Sequence, residues 1–116
     1  MYVTHEFIMN YVCFEFGITI KQLISPSRRA ELVDARQACA IALRELDFSL
    51  KYIAELLGRK DHTTIIHLLD TRTHSKPRNE RIAMRALKAY KHIAPNENVR
   101  YKSNLKAFLE MVQQIN

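Results

Sequence analysis

Ten residues, Gly58 to His67, read Gly-Arg-Lys-Asp-His-Thr-Thr-Ile-Ile-His and gather the side chains best suited to recognising a ligand. Asp61 suits the start of a helix, where its carboxylate accepts a hydrogen bond from the backbone of Thr63 or Thr64. Its second oxygen is then available to accept from a cytosine N4 amino group. His62 and Thr63 follow on the first turn. An imidazole donates to a base or packs on one, and a threonine methyl matches a thymine methyl. Thr64 and the helix-start N–H groups suit a phosphate, aided by the positive end of the helix dipole. His67 lies four residues beyond Thr63 on the same face and suits a second phosphate contact. A carboxylate facing a polyanion is costly alone, and Arg59 and Lys60 supply the surrounding cations. Such a capped, polar helix end fits a DNA major groove, with Ile65, Ile66, Leu68 and Leu69 following where the helix buries itself.

Other cations could join this surface. Arg28 and Arg29 stand in a Ser-flanked loop, from which arginine reaches a narrow minor groove. Gln37 and Arg44 are seven residues apart, two turns along one helix face, and both could meet the DNA backbone. Lys51 stands at the start of a following helix. Each of these alone would more often be an ordinary solvated residue. Arg78, Arg81, Arg85, Lys88 and His92 form a second basic stripe, which reads as a solvated face.

The elements that must position these groups are all helical. Val3, Phe7, Ile8, Tyr11, Val12 and Phe14 fall at helical spacing, giving a first helix that ends near Gly17. A short second helix holds Ile20, Leu23 and Ile24, and Ser25-Pro26-Ser27 stops it. The third runs from about Arg29 to Leu46, with Leu32, Cys39, Leu43 and Leu46 inward. Ser49 caps a fourth, whose Leu50, Ile53, Ala54 and Leu57 repeat at the helical period. Gly58 closes it, and Asp61 opens a fifth that continues to about His74. Two helices joined by so short a turn make a helix-turn-helix. Pro77 sits in the first turn of a sixth, with Ile82, Ala86, Ala89, Tyr90 and Ile93 as its apolar stripe. After Pro95, a last amphipathic helix from about Val99 carries Tyr101, Leu105, Phe108, Val112 and Ile115. The expected organisation is a DNA-binding unit over 1–94 and, over 95–116, an amphipathic helix packed on it.

Bulk composition agrees with an all-α chain. Only two Gly and three Pro occur in 116 residues, and 47% hydrophobic with 26% charged residues describes a globular protein. The net charge of +6 is unevenly placed. Residues 27–93 carry fourteen Lys and Arg against eight Asp and Glu, so the basic excess coincides with the helix-turn-helix. Cys13 and Cys39 fall in apolar helical patterns without zinc-site spacing and read as buried thiols of a reducing cytoplasm. No apolar run approaches a membrane span, and no targeting segment is visible. The expected location is cytoplasmic, on the nucleoid when DNA is bound. Met1 directly before the first helix favours a whole gene product.

These residues resemble the C-terminal DNA-binding domain, domain IV, of the bacterial replication initiator DnaA. Lys60-Asp61-His62-Thr63-Thr64-Ile65-Ile66-His67 is similar to its Gly-Arg-Asp-His-Thr-Thr-Val-Leu-His-like signature. Phe16-Gly17-Ile18, Leu23-Ile24-Ser25, Ala35-Arg36-Gln37-Ala38, Leu43-Arg44-Glu45-Leu46 and Ser49-Leu50-Lys51-Tyr52-Ile53 recur at similar spacing, covering about residues 5–75. The resemblance implies an all-α helix-turn-helix of six to seven helices, of a Trp-repressor-like kind, that binds a short asymmetric duplex box. It implies Arg28 in the minor groove, Asp61, His62 and Thr63 on bases, and Gln37, Arg44, Thr64 and His67 on the backbone. Three departures stand out. Gly58-Arg59-Lys60 replaces a Gly-Gly-Arg run, Glu31 and Asp34 thin the arginine arm, and the ATPase module is absent. With only Gly17 and Gly58, no Gly-x-x-x-x-Gly-Lys loop exists, so no nucleotide or other cofactor is expected and the chain is not a complete initiator.

Two other functions compete. A metal-dependent nuclease would need a ligand set, but His62 and His67 are five apart and do not stack on one helical face, and no His-Glu-x-x-His occurs. The expectation is no metal and no enzyme. An interaction adaptor would use residues 99–116 to dock a partner protein or a second copy, with DNA binding weak or lost. Folding back onto the core is the commoner use of such a face.

Overall fold

Several helix boundaries in this chain are written by short polar side chains at the starts, at Thr19, Ser49 and Asp61, and by left-handed residues at the ends, at Gly17, Asp47 and Gly58. The computed structural model describes residues 4–70 and 76–93. Six helices occur among them: α1 Thr4–Phe16, α2 Ile20–Leu23, α3 Ala30–Glu45, α4 Leu50–Leu56, α5 His62–Leu69 and α6 Pro77–Ile93. Thr19 opens α2 with a reciprocal capping box. Its hydroxyl accepts from the Gln22 N–H at 3.1 Å, and the Gln22 side chain accepts from the Thr19 N–H at 2.9 Å. Ser49 caps α4, accepting from the Tyr52 N–H at 3.1 Å. The expected end of the fifth helix near His74 and the expected last helix over 99–116 lie outside the described residues.

Three helices end in the same way. Gly17, Asp47 and Gly58 have φ of 67°, 67° and 70°. In each case the residue after it donates back to a carbonyl five positions earlier: Ile18 to Cys13, Phe48 to Leu43 and Arg59 to Ala54. This paired arrangement satisfies carbonyls that have no partner inside the helix. Asp47 is the unexpected member. A β-carbon in this conformation costs roughly 1–2 kcal/mol, and Asp is among the few residues that visit it.

The core is centred on α3, which packs against all five other helices. Its buried positions include Ala35, Ala38, Cys39, Ala40 and Ala42, and such small side chains let neighbouring helices approach closely on several sides. Phe7, Ile8, Tyr11 and Val12 of α1, Ile53 and Leu57 near α4, Ile65 of α5 and Ile82 and Ala86 of α6 close around it. Both cysteines are buried, and burial pushes the Cys13 thiol up to about 12 and Cys39 well above its usual range.

Three apolar positions depart from the sequence expectation. Phe14 is 42% exposed, in a groove with Asn10, Gly17 and Ile20. Ile24 is 40% exposed at the end of α2. Ile66 is 40% exposed although its neighbour Ile65 is fully buried. Adjacent residues on a helix point 100° apart, and α5 has one narrow inward face, which Ile65 occupies. Leu68 and Leu69 flank that face, half buried.

The helix-six basic stripe is also partly structural. Arg78 lies over the Phe16 ring at 4.6 Å, and Arg85 grips both oxygens of Glu15 at 2.7 and 3.1 Å. These contacts tie α6 to α1. No helix among the described residues is long and apolar enough to cross a membrane.

Candidate nucleic-acid interface

The first turn of α5 faces outward. Asp61, His62, Thr63 and Thr64 are all exposed, and the helix turns inward only at Ile65. Asp61 Oδ1 accepts from both the backbone N–H and the hydroxyl of Thr63, each at 3.0 Å. His62 Nδ1 lies 3.3 Å from the same oxygen. The Thr63 N–H, then its hydroxyl, and then His62 hold the Asp61 carboxyl below the usual carboxylate range. The Thr63 hydroxyl proton is thus committed to the cap, which leaves the methyl as that residue's outward recognition group. His67 is exposed at the rim of a groove that Val33 and Thr64 also line.

The two cations before the cap differ. Lys60 is exposed. Arg59 is half buried, donating to the Leu57 carbonyl at 3.1 Å and to the carbonyl of Ser25. It is a strut between the helix-turn-helix and the loop after α2, not the free cation expected from the sequence.

That loop is held from a second side by Arg36, which sequence reasoning passed over as a functional residue. Arg36 is only 4% exposed. Its guanidinium donates to the carbonyls of Leu23 at 2.7 Å, Ser25 at 2.7 Å and Ser27 at 2.6 Å, with a longer bond to Gln22 at 3.4 Å. A planar fork with five donors suits several carbonyls presented together. The available signal was an arginine on an otherwise apolar helix face, with Leu32, Cys39, Ala40 and Leu43 at helical spacing from it. Gly58 completes the joint: a β-carbon there would lie 2.6 Å from the Ile24 carbonyl oxygen.

Of the loop arginines, Arg28 is exposed and carries no hydrogen bond or ion pair among the described residues. Arg29 is exposed but ion-paired with Glu31, in the first turn of α3. Asp34, expected to thin the arginine arm, points elsewhere, accepting from Lys76 Nζ at 3.0 Å and Asn79 Nδ2 at 3.2 Å. On the opposite flank Arg44 and Lys51 are exposed, with Arg44 Nη1 donating to the Phe48 carbonyl at 2.9 Å.

Gln37 requires a correction. It is 5% exposed, with its amide nitrogen on the Leu68 carbonyl at 2.9 Å and its oxygen accepting from Asn79 at 2.7 Å. Although it shares a face of α3 with Arg44, the end of α5 and the start of α6 cover that half of the helix. Gln37 therefore braces the interface from within. Among the described residues no group of three His, Cys, Asp or Glu side chains could hold a metal ion.

The family model of the bacterial DnaA protein helix-turn-helix matches residues 5–71. The chain belongs to this family. It is 38% identical over 81 residues to the chromosomal replication initiator protein DnaA of Gloeobacter violaceus, covering 69% of this chain and 18% of that protein. The protein of the same name from Thermomicrobium roseum is 41% identical over 69 residues, covering 59% and 15%. That from Bacteroides fragilis is 39% identical over 70 residues, covering 60% and 15%. The chain thus spans less than a fifth of the length of these curated relatives. No solved structure matches it at comparable significance.

Proposed function

We propose that this member of the DnaA helix-turn-helix family binds double-stranded DNA in a sequence-specific manner. In this reading α5 enters the major groove amino-terminus first, with Asp61, His62 and Thr63 on base edges and Thr64 and His67 on phosphates. Arg28 enters the adjacent minor groove, and Arg29, Arg44, Lys51 and Lys60 meet the backbone. Arg59 acts as a strut whose charge still adds to the local field. The observation that carries the reading is the outward, capped first turn of α5: four consecutive polar residues are exposed, and burial begins only at Ile65.

Electrostatics support it. The segment 27–93 holds the basic excess, and a duplex requires its neutralising charges close to the reading helix. The matched relatives are named chromosomal replication initiators, so we assign the target to boxes of the initiator type and the role to regulation of replication or transcription. The DNA-binding unit is residues 1–94, acting in the cytoplasm at the nucleoid, and binding rather than catalysis is its activity.

Selection of bound duplexes from a random pool tests this directly. A recovered consensus, bound at least tenfold more tightly than its scrambled version at moderate salt, is the expected result on the usual scale of specificity. Equal affinity for both duplexes removes the sequence-specific reading.

A further inference from the structure

Base reading by α5 leaves unused a polar cluster that runs from the surface into the core. It joins Asp34 and Gln37 of α3 to Lys76 and Asn79 at the start of α6. Gln37 Nε2 donates to the Leu68 carbonyl at 2.9 Å, in the last turn of α5. Gln37 Oε1 accepts from Asn79 Nδ2 at 2.7 Å. That nitrogen also donates to Asp34 Oδ1 at 3.2 Å, and Asp34 Oδ2 accepts from Lys76 Nζ at 3.0 Å. The end groups set the direction of the chain. A carbonyl and a carboxylate only accept, so each amide must turn its NH2 toward them.

Asn79 is fully buried, and its Oδ1 has no partner among the described residues. The desolvation cost of an orphaned buried acceptor offsets part of what the two donated bonds contribute, one to an amide oxygen and one to the Asp34 carboxylate. Stability is thus not all that the residue supplies. It also adds direction.

We propose that Asn79 is a positioning residue for base reading. Through Gln37 it holds the carboxyl end of α5 against α3 and α6, and so sets the angle at which Asp61, His62 and Thr63 meet the duplex. This rests on reading α5 as the base-reading helix. Asn79 itself lies beyond residues 5–71 that the family model matches.

The test compares the parent chain with Asn79→Leu, which removes both donors and the orphaned acceptor. Gln37→Met breaks the same contact to Leu68 from the other side and serves where Asn79→Leu does not fold. The first readout is amide hydrogen exchange in the free protein. Amides of the last turn of α5 should exchange faster while those of α1 do not change. The second is the ratio of affinities for the selected duplex and its scrambled version. It should fall roughly threefold to tenfold, the scale of one lost hydrogen bond, with scrambled-duplex affinity and salt dependence unchanged. An unchanged ratio overturns the proposal, as does an equal loss on both duplexes, which marks a merely structural residue. A parent chain with no preference would instead sink the functional reading. Exchange then decides alone: unchanged α5 amides overturn the positioning role, and faster ones uphold the hold on α5.

Discussion

Arg36 and Arg59 donate to the same backbone oxygen, the carbonyl of Ser25. Arg36 comes from α3, and Arg59 from the turn between α4 and α5. Two guanidiniums so close repel each other. Desolvation first, and then the Arg59 charge, lower the Arg36 pKa below the usual arginine value. The arrangement persists because that loop presents several carbonyls with no helix or strand of their own. Its consequence is geometric: the loop carrying Arg28 and the turn that launches α5 form one unit. Two proposed reading heads, for the minor and the major groove, are therefore fixed relative to each other before DNA arrives.

Arg36→Met should show how much of this unit depends on one side chain. It would take the Arg36 donor from the carbonyls of Leu23 and Ser27 and leave that of Ser25 to Arg59 alone, with a loss of about 2–4 kcal/mol in urea unfolding. Arg36→Lys should recover only part, because one ammonium cannot span three diverging carbonyls. Full recovery by lysine would show that the fork geometry is unimportant.

The two glycines separate conformational cost from steric cost. Gly17 and Gly58 share a left-handed conformation, but a β-carbon at Gly17 meets nothing within 4 Å. Gly17→Ala should cost about 1–2 kcal/mol. Gly58→Ala pays that cost and also drives a methyl toward the Ile24 carbonyl, adding about 1–3 kcal/mol. Denaturation midpoints of the two variants, compared at equal slope, decide the matter. Equal losses would mean that the α2 end yields freely.

At the proposed base-reading turn, His62→Ala should remove discrimination worth about 1–3 kcal/mol between the selected duplex and single-base variants. Thr63→Val keeps the methyl but loses the hydroxyl bond to Asp61, so it should preserve more discrimination than Thr63→Ala. Arg44→Ala should instead weaken all duplexes alike and reduce the slope of log affinity against log salt by about 1. Binding isotherms at several salt concentrations distinguish the two kinds of loss.

Asp61 makes the start of α5 sensitive to acid. Its carboxyl is held below its ordinary value by Thr63 and His62, so the folded state favours the ionised form. The cap's contribution is present in full above the unfolded-state pKa and is lost as pH falls through the lowered folded value. An NMR titration should show the Thr63 amide moving in that acidic window. Asp61→Asn still accepts the hydrogen bond without titrating, so its Thr63 amide should stay put there.

Much of this molecule was legible along the chain. The order of the six described helices, the Ser49 and Asp61 caps, the Gly17 and Gly58 ends and the exposed His62–Thr64 turn are local matters of period, cap and backbone freedom. They depend on residues within a few positions of one another. Sequence alone also carried the likeness at Asp61–His67 that the family match bears out.

Tertiary structure decided which long side chains face outward. Gln37 and Arg44 share one helix face, yet only Gln37 lies beneath α5 and α6. Arg36 is spent on carbonyls 9 to 14 residues away. Arg59 turns to Ser25, Asp34 turns to Asn79, and Ile66 stays in the open. Helical period gives the direction of a side chain about its own axis. Whether that direction meets solvent or another helix depends on partners distant in sequence, and those are set only when the helices pack.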